Sequence, residues 1–244
     1  MNKASEPITL ALDIGGTWLK ATLLDPEGEP LGPVQKRKTP REGMPKALLL
    51  ALVDLAALMG SFHRASVGFP GVVLDGVTLC AANLEGDWKS FPLARELETL
   101  LGVPTRVAND ADIQGLGAIQ GEGVELVLTL GTGLGSSLFS EGRLLPNCEF
   151  GHLPSGYRSE NDRALSFENR LADQELKRIG EEAWKQRVLE TLRIFLRTFN
   201  PNHIYLGGGN ARFFVEDENL PQEVEVVPNE TGLLGGIALW KEKE

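Results

Sequence analysis

Two short motifs in this chain combine glycine, threonine and aspartate in a pattern that suits phosphate binding. The first, DIGGT at residues 13–17, comes at the end of an apolar run that is typical of a buried strand. Paired glycines let the backbone approach an anion closely, Thr17 supplies a hydroxyl, and Asp13 can hold Mg²⁺ through water. Lys20 follows and can neutralise phosphate charge. A tight hairpin with a capping aspartate explains the same residues equally well.

The second motif, GTGLG at residues 131–135, follows another aliphatic run. A dinucleotide fingerprint needs G-x-G-x-x-G at the start of a helix, with an acid about 20 residues further on. Here the spacing is G-x-G-x-G and a hairpin is predicted instead of a helix, which disfavours a dinucleotide site. Gly/Thr turns at matching places in the two halves of the chain favour two phosphate loops that face each other across a cleft.

A pair of polar residues, Asn109-Asp110, lies between a predicted strand and a helical stretch. A carboxylate at the carboxyl end of a strand suits a general base that takes a proton from a substrate hydroxyl. The alternative is that one of the pair caps the next helix, and the two roles are compatible. We expect Asp112 in the first turn of that helix, where the helix dipole favours an acid.

A further polar group consists of EFGH at residues 149–152 together with Asn83. Carboxylate, imidazole and amide groups donate and accept hydrogen bonds in the way that sugar hydroxyls require. Taken alone, His152 is as readily explained as a structural histidine.

The overall composition narrows the class of protein. The chain has 244 residues, of which 42% are hydrophobic and 24% charged, and this excludes a disordered or fibrous chain. A net charge of −10 disfavours a general nucleic-acid or anionic-membrane binder. The basic run KRK at residues 36–38, with Arg41, is typical of a solvated face.

Cysteine usage and hydropathy indicate a reducing, cytoplasmic location. Cys80 and Cys148 lie far apart and form neither a zinc cluster nor a disulfide framework. The longest apolar stretch, residues 47–59, contains Asp54 and is too short to span a bilayer. No targeting segment is recognisable at the start.

The elements that must position these motifs are arranged in two similar halves. Each half opens with a strand, a Gly/Thr turn and a second strand, which indicates a duplicated α/β fold with a site in the cleft between the halves. In the first half we predict strands at residues 8–14, 19–25, 33–38, 65–69 and 105–108, and helices at 45–61 and 93–101. In the second half we predict strands at 125–130, 136–139, 144–145, 203–206 and 223–227, and helices at 163–199 and 232–241.

Five motifs, in this order, resemble the ROK family of repressors and sugar kinases. They are Asp13-Ile14-Gly15-Gly16-Thr17, Phe69-Pro70-Gly71, Asn109-Asp110, Leu130-Gly131-Thr132-Gly133 and Glu149-x-Gly151-His152. The resemblance covers residues 8–240 and implies a two-lobed actin-like (ribonuclease H-like) fold with duplicated βββαβα halves and an interlobe cleft. It implies a small N-terminal lobe at residues 1–108, a large lobe at 109–230, and a C-terminal helix at 231–244 that packs back on the first lobe.

Within the family, residues 130–153 resemble the subgroup of glucokinases that use polyphosphate. The chain has no cysteine after Cys148, so the zinc motif of ATP-only members is missing. The resemblance implies phosphoryl transfer from polyphosphate, and also from ATP, to the 6-hydroxyl of glucose, with Mg²⁺ and without structural zinc. It also implies a cytoplasmic homodimer that binds neither nucleic acid nor membrane.

The resemblance implies roles for single residues. Asp110 would be the catalytic base. The hexose would be held by Asn83, Asn109, Asp110, Glu149 and His152. The phosphates and Mg²⁺ would be held by Asp13 (through water to the metal), Gly15, Gly16, Thr17, Lys20, Gly131, Thr132 and Gly133. Gly207 and Gly208 would line the base and ribose of a nucleotide.

Three positions depart from the family pattern or extend it. Trp18 stands where the polyphosphate subgroup usually has glycine, which affects the shape of the phosphate channel. Glu160 is the candidate for a third acidic sugar ligand. The basic residues available to hold a polyphosphate chain are Lys20, Lys36, Arg37, Arg143 and Arg158.

Three alternatives remain open at this point. One is a strictly ATP-dependent hexokinase of the same family, acting on glucose, mannose or fructose. Another is a repressor, but about seven residues precede the first predicted strand, and we expect no DNA-binding domain there. The third is a non-catalytic sugar-binding subunit, which the intact Asn109-Asp110 pair and both Gly/Thr turns disfavour.

Overall fold

The structure is a computed structural model that describes residues 7–42, 44–81, 84–158, 162–228 and 231–241. These residues form two compact units. The first contains the chain up to Gly117 together with the C-terminal segment from residue 231, and the second contains residues 118–228. Helix α3, which the sequence analysis places in the second lobe, starts at Asp110 and lies almost entirely in the first unit.

The first unit is built on a five-stranded sheet with the strand order β3-β2-β1-β4-β7. Its elements are β1 (Thr9–Ile14), β2 (Trp18–Leu24), β3 (Gln35–Lys38), α1 (Lys46–Ala56), β4 (Arg64–Phe69), β5 (Val73–Leu74), β6 (Val77–Thr78), α2 (Leu93–Leu101), β7 (Thr105–Asn109) and α3 (Asp110–Ala118). Strands β1, β4 and β7 are parallel, while β2 and β3 are antiparallel to their neighbours.

The second unit repeats this arrangement with the strand order β10-β9-β8-β13-β14. Its elements are β8 (Val124–Leu130), β9 (Leu134–Ser140), β10 (Arg143–Leu145), β11 (Pro154–Arg158), β12 (Ala164–Ser166), α4 (Phe167–Leu171), α5 (Asp173–Ile179), α6 (Glu181–Phe199), β13 (His203–Gly207) and β14 (Val224–Val226). Because both sheets have the same order and the same strand directions, the predicted duplication of the fold is confirmed.

The core of each unit explains why these segments fold as they do. In the first unit, the inward-facing residues of β1, β2 and β4 pack against the apolar faces of α1 and α2. In the second, β8 and β13 pack against α4 and α6 around the fully buried Trp184. Central strands that are covered on both faces read as continuous aliphatic runs, and this is why the sequence identified them.

The C-terminal segment forms α7 (Thr231–Leu234) and a 3₁₀ helix (Gly235–Trp240) on the other face of the first sheet. Ser66 on β4 donates a hydrogen bond to Gly236 O at 2.7 Å and accepts one from Trp240 Nε1 at 2.8 Å. A Cβ at Gly235 would lie 1.9 Å from Ile113 O. The helix predicted at 232–241 is present, but its second part is a 3₁₀ helix. The glycine pair favours α-helix poorly and lets the backbone press against α3.

The helical sequence predicted over 163–199 is divided into several elements. Strand β12 comes first, and three separate helices follow. The chain breaks at Ala172, which is extended, and at Gly180, whose φ of 84° is open to glycine. Two hairpins, β5–β6 and β11–β12, were missed because their strands are short and half exposed. Helix α1 ends at Ala56, earlier than the predicted residue 61.

None of the helices in the described residues is long and apolar enough to cross a membrane.

A buried carboxylate ties the start of the second sheet together. Glu125 on β8 is fully buried and accepts hydrogen bonds from the backbone N–H groups of Gln120 and Gly121, both at 2.8 Å. It also accepts a bond from the Tyr205 hydroxyl on β13 at 3.0 Å. Burial, followed by this hydrogen bond, raises the pKa of Tyr205 to about 12. Three donors therefore depend on one side chain.

We predict that Glu125→Ala lowers the free energy of unfolding by about 2–4 kcal/mol, because buried donors lose their acceptor. Tyr205→Phe leaves the two backbone bonds in place and costs about 1–3 kcal/mol. Urea denaturation followed by tryptophan fluorescence measures both. The exposed neighbour Glu122→Ala is the control and should stay within about 0.5 kcal/mol of the parent. Equal losses for Glu125→Ala and Glu122→Ala would contradict this account.

Candidate active site

The parallel strands of the first unit bring the predicted catalytic residues to one edge of the sheet. Asp13 on β1 is in register with Gly68 on β4, which is in register with Ala108 on β7. Asp110 follows β7 directly and begins α3. A Cβ at Gly68 would lie 3.6 Å from the Asp110 Cα, so glycine allows α3 to start close to β4. Asp13 and Asp110 thus lie at the same edge, with one strand between theirs.

Asn109 fixes the start of α3. Its side-chain oxygen accepts hydrogen bonds from the N–H groups of Ala111 at 2.8 Å and Asp112 at 3.1 Å. Its amide donates to Gly71 O at 3.2 Å, which ties the helix to the Phe69-Pro70-Gly71 turn. The capping role that the sequence left open is therefore confirmed, as is the position of Asp112 in the first turn, where it is buried. The Asp110 carboxylate accepts the N–H of Ala111 at 2.8 Å.

The DIGGT segment forms the tight turn between β1 and β2. Gly15 N–H donates to Trp18 O at 3.1 Å, and a Cβ at Gly15 would lie 2.8 Å from that oxygen. The hairpin alternative is thus correct for the backbone, but Asp13 does not cap it. Its carboxylate pairs with Lys20 Nζ at 2.9 Å, and both side chains are largely buried. Gly16 and Thr17 are exposed at the tip of the turn.

The donor set around this turn fits Mg²⁺ bound together with phosphates. Asp13 supplies one carboxylate and Thr17 a hydroxyl, and no group of three His, Cys, Asp or Glu side chains able to hold a metal occurs in the described ranges. Mg²⁺ typically takes one or two carboxylates and completes its shell with water and substrate phosphates, rather than with an all-protein cage. One half-buried carboxylate beside exposed glycines meets that requirement.

In the second unit, two glycine turns lie side by side at the carboxyl edge of the sheet. Gly207 at the end of β13 is in register with Thr129 on β8. Leu130 O accepts a hydrogen bond from Asn210 N–H at 3.0 Å, and a Cβ at Gly208 would lie 2.4 Å from that oxygen. With a φ of 84° as well, position 208 requires glycine. The Gly131–Gly133 turn is closed by a hydrogen bond from Gly131 N–H to Gly133 O at 3.1 Å.

Glu149 precedes a 3₁₀ helix (Phe150–His152), and His152 is its last residue. The helix is held against β9. A Cβ at Gly151 would lie 2.4 Å from Leu134 O, which explains the glycine of the EFGH motif. The Phe150 ring stacks on Phe199 with the ring centroids 4.5 Å apart. This anchoring brings His152 Nε2 to 3.9 Å from a Glu149 carboxylate oxygen, with the imidazole exposed.

Glu168, on α4, joins this pair and was missed by the sequence analysis. One of its carboxylate oxygens lies 4.0 Å from His152 Nε2. The other lies against the Gly133 backbone, 2.2 Å from where a Cβ would be. The only local signal for Glu168 is its place in the first turn of a short helix capped by Ser166, which many acids share. Its proximity to the motif is a tertiary effect.

Burial raises the pKa of Glu149; the charge of His152 lowers it and that of Glu168 raises it. This site of two carboxylates and one imidazole offers several acceptors and a titratable donor at short range, which suits polyhydroxylated ligands. The other acidic candidate, Glu160, and the amide candidate, Asn83, lie outside the described residues.

An open cavity of about 920 Å³ adjoins the Gly208 turn. Its apolar lining includes Phe214, Leu220 and Val226, and its acidic residues are Glu216, Asp217, Glu218 and Glu225. Gly208 lines the cavity. Because the charged residues are mostly acidic, the cavity suits an apolar ring better than a chain of phosphates.

Two of the basic residues considered for polyphosphate binding form ion pairs with aspartates, and a third is exposed. Arg37 pairs with Asp54 of α1 at 2.9 Å, and Arg158 pairs with the exposed Asp162 at 3.1 Å. Arg143 is exposed at the start of β10.

Comparison with known proteins supports the family resemblance of the motifs and the fold described above. The model of the ROK family matches residues 9–163. The chain belongs to the ROK family. Polyphosphate glucokinase of Mycobacterium tuberculosis is 30% identical over 209 residues, covering 82% of this chain and 77% of that protein. N-acetylmannosamine kinase of Escherichia coli is 36% identical over 154 residues, covering 59% of this chain and 52% of that protein.

Among solved structures, the inorganic polyphosphate/ATP-glucomannokinase from Arthrobacter sp. strain KM has a TM-score of 0.83 at 28% identity. The match covers 96% of this ROK-family chain and 100% of that one. The predicted actin-like fold is thereby confirmed, and the chain is a phosphotransferase of the sugar-kinase type. The family resemblance read from the five motifs was correct.

We predict that Glu168→Gln lowers the pKa of Glu149, because one nearby negative charge is removed. Burial is the larger cause and remains, so the pKa should not return fully to the ordinary value. Carbon-13 NMR titration of the glutamate carboxyls measures the shift. The exposed Glu181→Gln is the control and should leave the Glu149 pKa in place. An unchanged value in Glu168→Gln would show that the two carboxylates do not interact.

Proposed function

We propose that this chain transfers a phosphoryl group from polyphosphate, and also from ATP, to the 6-hydroxyl of glucose. The observation that carries the proposal is the placement of Asp110: it begins α3 at the same sheet edge as Asp13 and is held by the Asn109 cap. A base and a phosphate-binding turn on one rigid edge are what alignment of a hydroxyl with a phosphate requires. The names of the relatives support the substrate classes.

Asp110 acts as the general base. Phosphoryl transfer has a loose transition state, so the base accepts the hydroxyl proton late and its main contribution is orientation. The Asn109 side chain accepts hydrogen bonds from N–H groups of α3 and donates one to Gly71 O. These bonds hold the start of the helix, and with it the Asp110 carboxylate, in place. Asn109 itself is the second hexose contact from this edge.

The donor phosphates bind at the Gly15-Gly16-Thr17 turn and at the Gly131-Thr132-Gly133 turn. Asp13 holds Mg²⁺ through water, and when bound this ion neutralises charge on the transferred phosphoryl group. Lys20 is already aimed at Asp13 and neutralises phosphate charge at the same place. The exposed residues Gly16 and Thr17 supply further backbone N–H donors, because the Gly15 and Gly131 N–H groups already donate within their own turns.

The hydroxyls of the hexose are bound by Glu149, His152 and Glu168, together with Asn83. Carboxylates accept from hydroxyls and the imidazole donates or accepts, which fixes the ring orientation. We assign Glu168 the place of the third acidic sugar ligand, for which the sequence offered Glu160. The working form in this proposal is a cytoplasmic homodimer, as the resemblance implies.

We predict that Asp110→Asn lowers kcat by about 10²–10⁴-fold, the usual contribution of a general base. The dissociation constant for glucose should change only a few-fold, because an amide keeps a hydrogen-bonding group there. A coupled assay for glucose 6-phosphate gives kcat, and calorimetry gives glucose binding. Asp87→Asn, an exposed substitution of the same type, is the control. Near-native turnover of Asp110→Asn would refute the assignment of the base.

The donor is tested by release of glucose 6-phosphate with Mg²⁺, glucose and either ATP or long-chain polyphosphate. We expect polyphosphate to support turnover at or above the rate with ATP. Turnover with ATP alone would establish the strictly ATP-dependent alternative, which the apolar lining of the cavity beside Gly208 favours. No product with either donor would indicate a different sugar, and N-acetylmannosamine would be tried next because a relative is named for it.

A further inference from the structure

Strands β2 and β3 form the outer edge of the first sheet, and their register divides the basic run KRK between two faces. Lys38 lies directly opposite Trp18, and Lys36 lies directly opposite Lys20. Residues directly opposite each other in an antiparallel pair share a face, and their neighbours in sequence point to the other face. Trp18, Lys20, Lys36 and Lys38 are therefore on one face, which we name the β2–β3 basic face.

Arg37 is on the opposite face. It is in register with the buried Leu19, whose side chain belongs to the core beneath α1. Its guanidinium pairs with Asp54 of α1 at 2.9 Å. The sequence KRK at residues 36–38 is therefore not one uniform solvated surface. Arg37 is paired on one face of the sheet, and Lys36 and Lys38 lie on the other.

The β2–β3 basic face is continuous with the phosphate-binding turn. Asp13, Lys20 and Lys36 form one row across β1, β2 and β3, two strand spacings or about 10 Å in length. Thr39, which follows β3, donates its N–H to Thr17 O at 3.0 Å and its hydroxyl to Gly15 O at 2.6 Å. The end of β3 is therefore fixed directly on the turn, and the row leads outward from it.

Lys20 on this face pairs with Asp13, whereas no ion pair balances Lys36 or Lys38 among the described residues. Like charges directly opposite each other in a sheet are destabilising, and Lys20 and Lys36 are such a pair. Within the described ranges, neither Lys36 nor Lys38 has a carboxylate within ion-pair distance. Lys38 Nζ instead lies 6.0 Å from the centroid of the Trp18 ring, which is 42% exposed. An anion with evenly repeated charges would complement Lys36 and Lys38 and continue to Lys20 beside Asp13.

We propose that the β2–β3 basic face binds the distal phosphates of a long polyphosphate whose terminal phosphate occupies the Gly15-Gly16-Thr17 turn. The inference rests on the proposed use of polyphosphate as donor. Lys20 contacts the phosphates nearest the reaction, and Lys36 and Lys38 contact those further along the chain. A donor with three phosphates, such as ATP or tripolyphosphate, spans less of this face than a long chain does, so the face favours longer donors.

The test compares two double variants that each remove two positive charges. K36Q/K38Q neutralises the β2–β3 basic face, whereas R37Q/K46Q neutralises the opposite face, because Lys46 begins the helix that Arg37 contacts. The readout is kcat/KM with long-chain polyphosphate divided by kcat/KM with tripolyphosphate. We expect K36Q/K38Q to lower this ratio about ten-fold through KM, and R37Q/K46Q to change it by less than about two-fold. The difference should shrink at high ionic strength.

Equal losses in both double variants, or an unchanged ratio in K36Q/K38Q, would overturn the proposal, because general electrostatic attraction would then be the whole effect. Binding of long-chain polyphosphate without glucose, measured by calorimetry, separates this inference from the proposed function. Binding that K36Q/K38Q weakens about ten-fold supports the face even if no phosphoryl group is transferred, and the donor assignment alone then fails. No binding by the parent protein overturns the face even if glucose is phosphorylated from ATP.

Discussion

The parallel pairing of β1, β4 and β7 is the constraint on which the first unit's chemistry depends. Parallel strands end at the same edge, so the residues that follow them meet there regardless of their separation in sequence. Asp13 and Asp110 are nearly a hundred positions apart in the chain. They lie at the same edge because Asp13 is in register with Gly68 and Gly68 is in register with Ala108, two residues before Asp110. The same arrangement of β8 and β13 brings the Gly131–Gly133 turn beside Gly208. Duplication of the sheet therefore places a Gly/Thr turn after the corresponding strand, β1 or β8, of each unit.

Much of the strand arrangement could be predicted from the sequence, because parallel pairing of buried strands produces a recognisable local sequence pattern. A strand buried on both faces is a short aliphatic run, and the glycines after it mark places where the backbone touches another strand. Gly208 against Leu130 and Gly151 against Leu134 are examples in which the motif glycine is required by a carbonyl oxygen. The five motifs and their order were readable for this reason, and so was the family.

The rest depends on contacts that have no local signature. Glu168 lies 4.0 Å from His152 on the short helix α4. The chain breaks at Ala172 and Gly180, whereas composition predicted helical sequence throughout residues 163–199. The breaks themselves follow from tertiary geometry: Asp173 N–H, just after the first break, donates to Gly131 O at 2.9 Å. In the sequence, Glu168 looks like any other acidic residue near the start of a short helix. Its proximity to His152 is visible only in the structure. Partners of this kind must be read from the fold.

The register between β2 and β3 is the second property that could not be predicted from the sequence. It determines which charged side chains share a face at the edge of the sheet. A slip of one residue between β2 and β3 would place Arg37 opposite Lys20 and would turn Lys36 and Lys38 toward α1. The observed register is fixed from both sides: Leu19 must enter the core, and Thr39 must reach the carbonyl groups of the turn. Packing that serves stability thus determines which lysines share a face with Asp13. In a protein whose net charge is −10, attraction for a polyanion has to come from such a local arrangement.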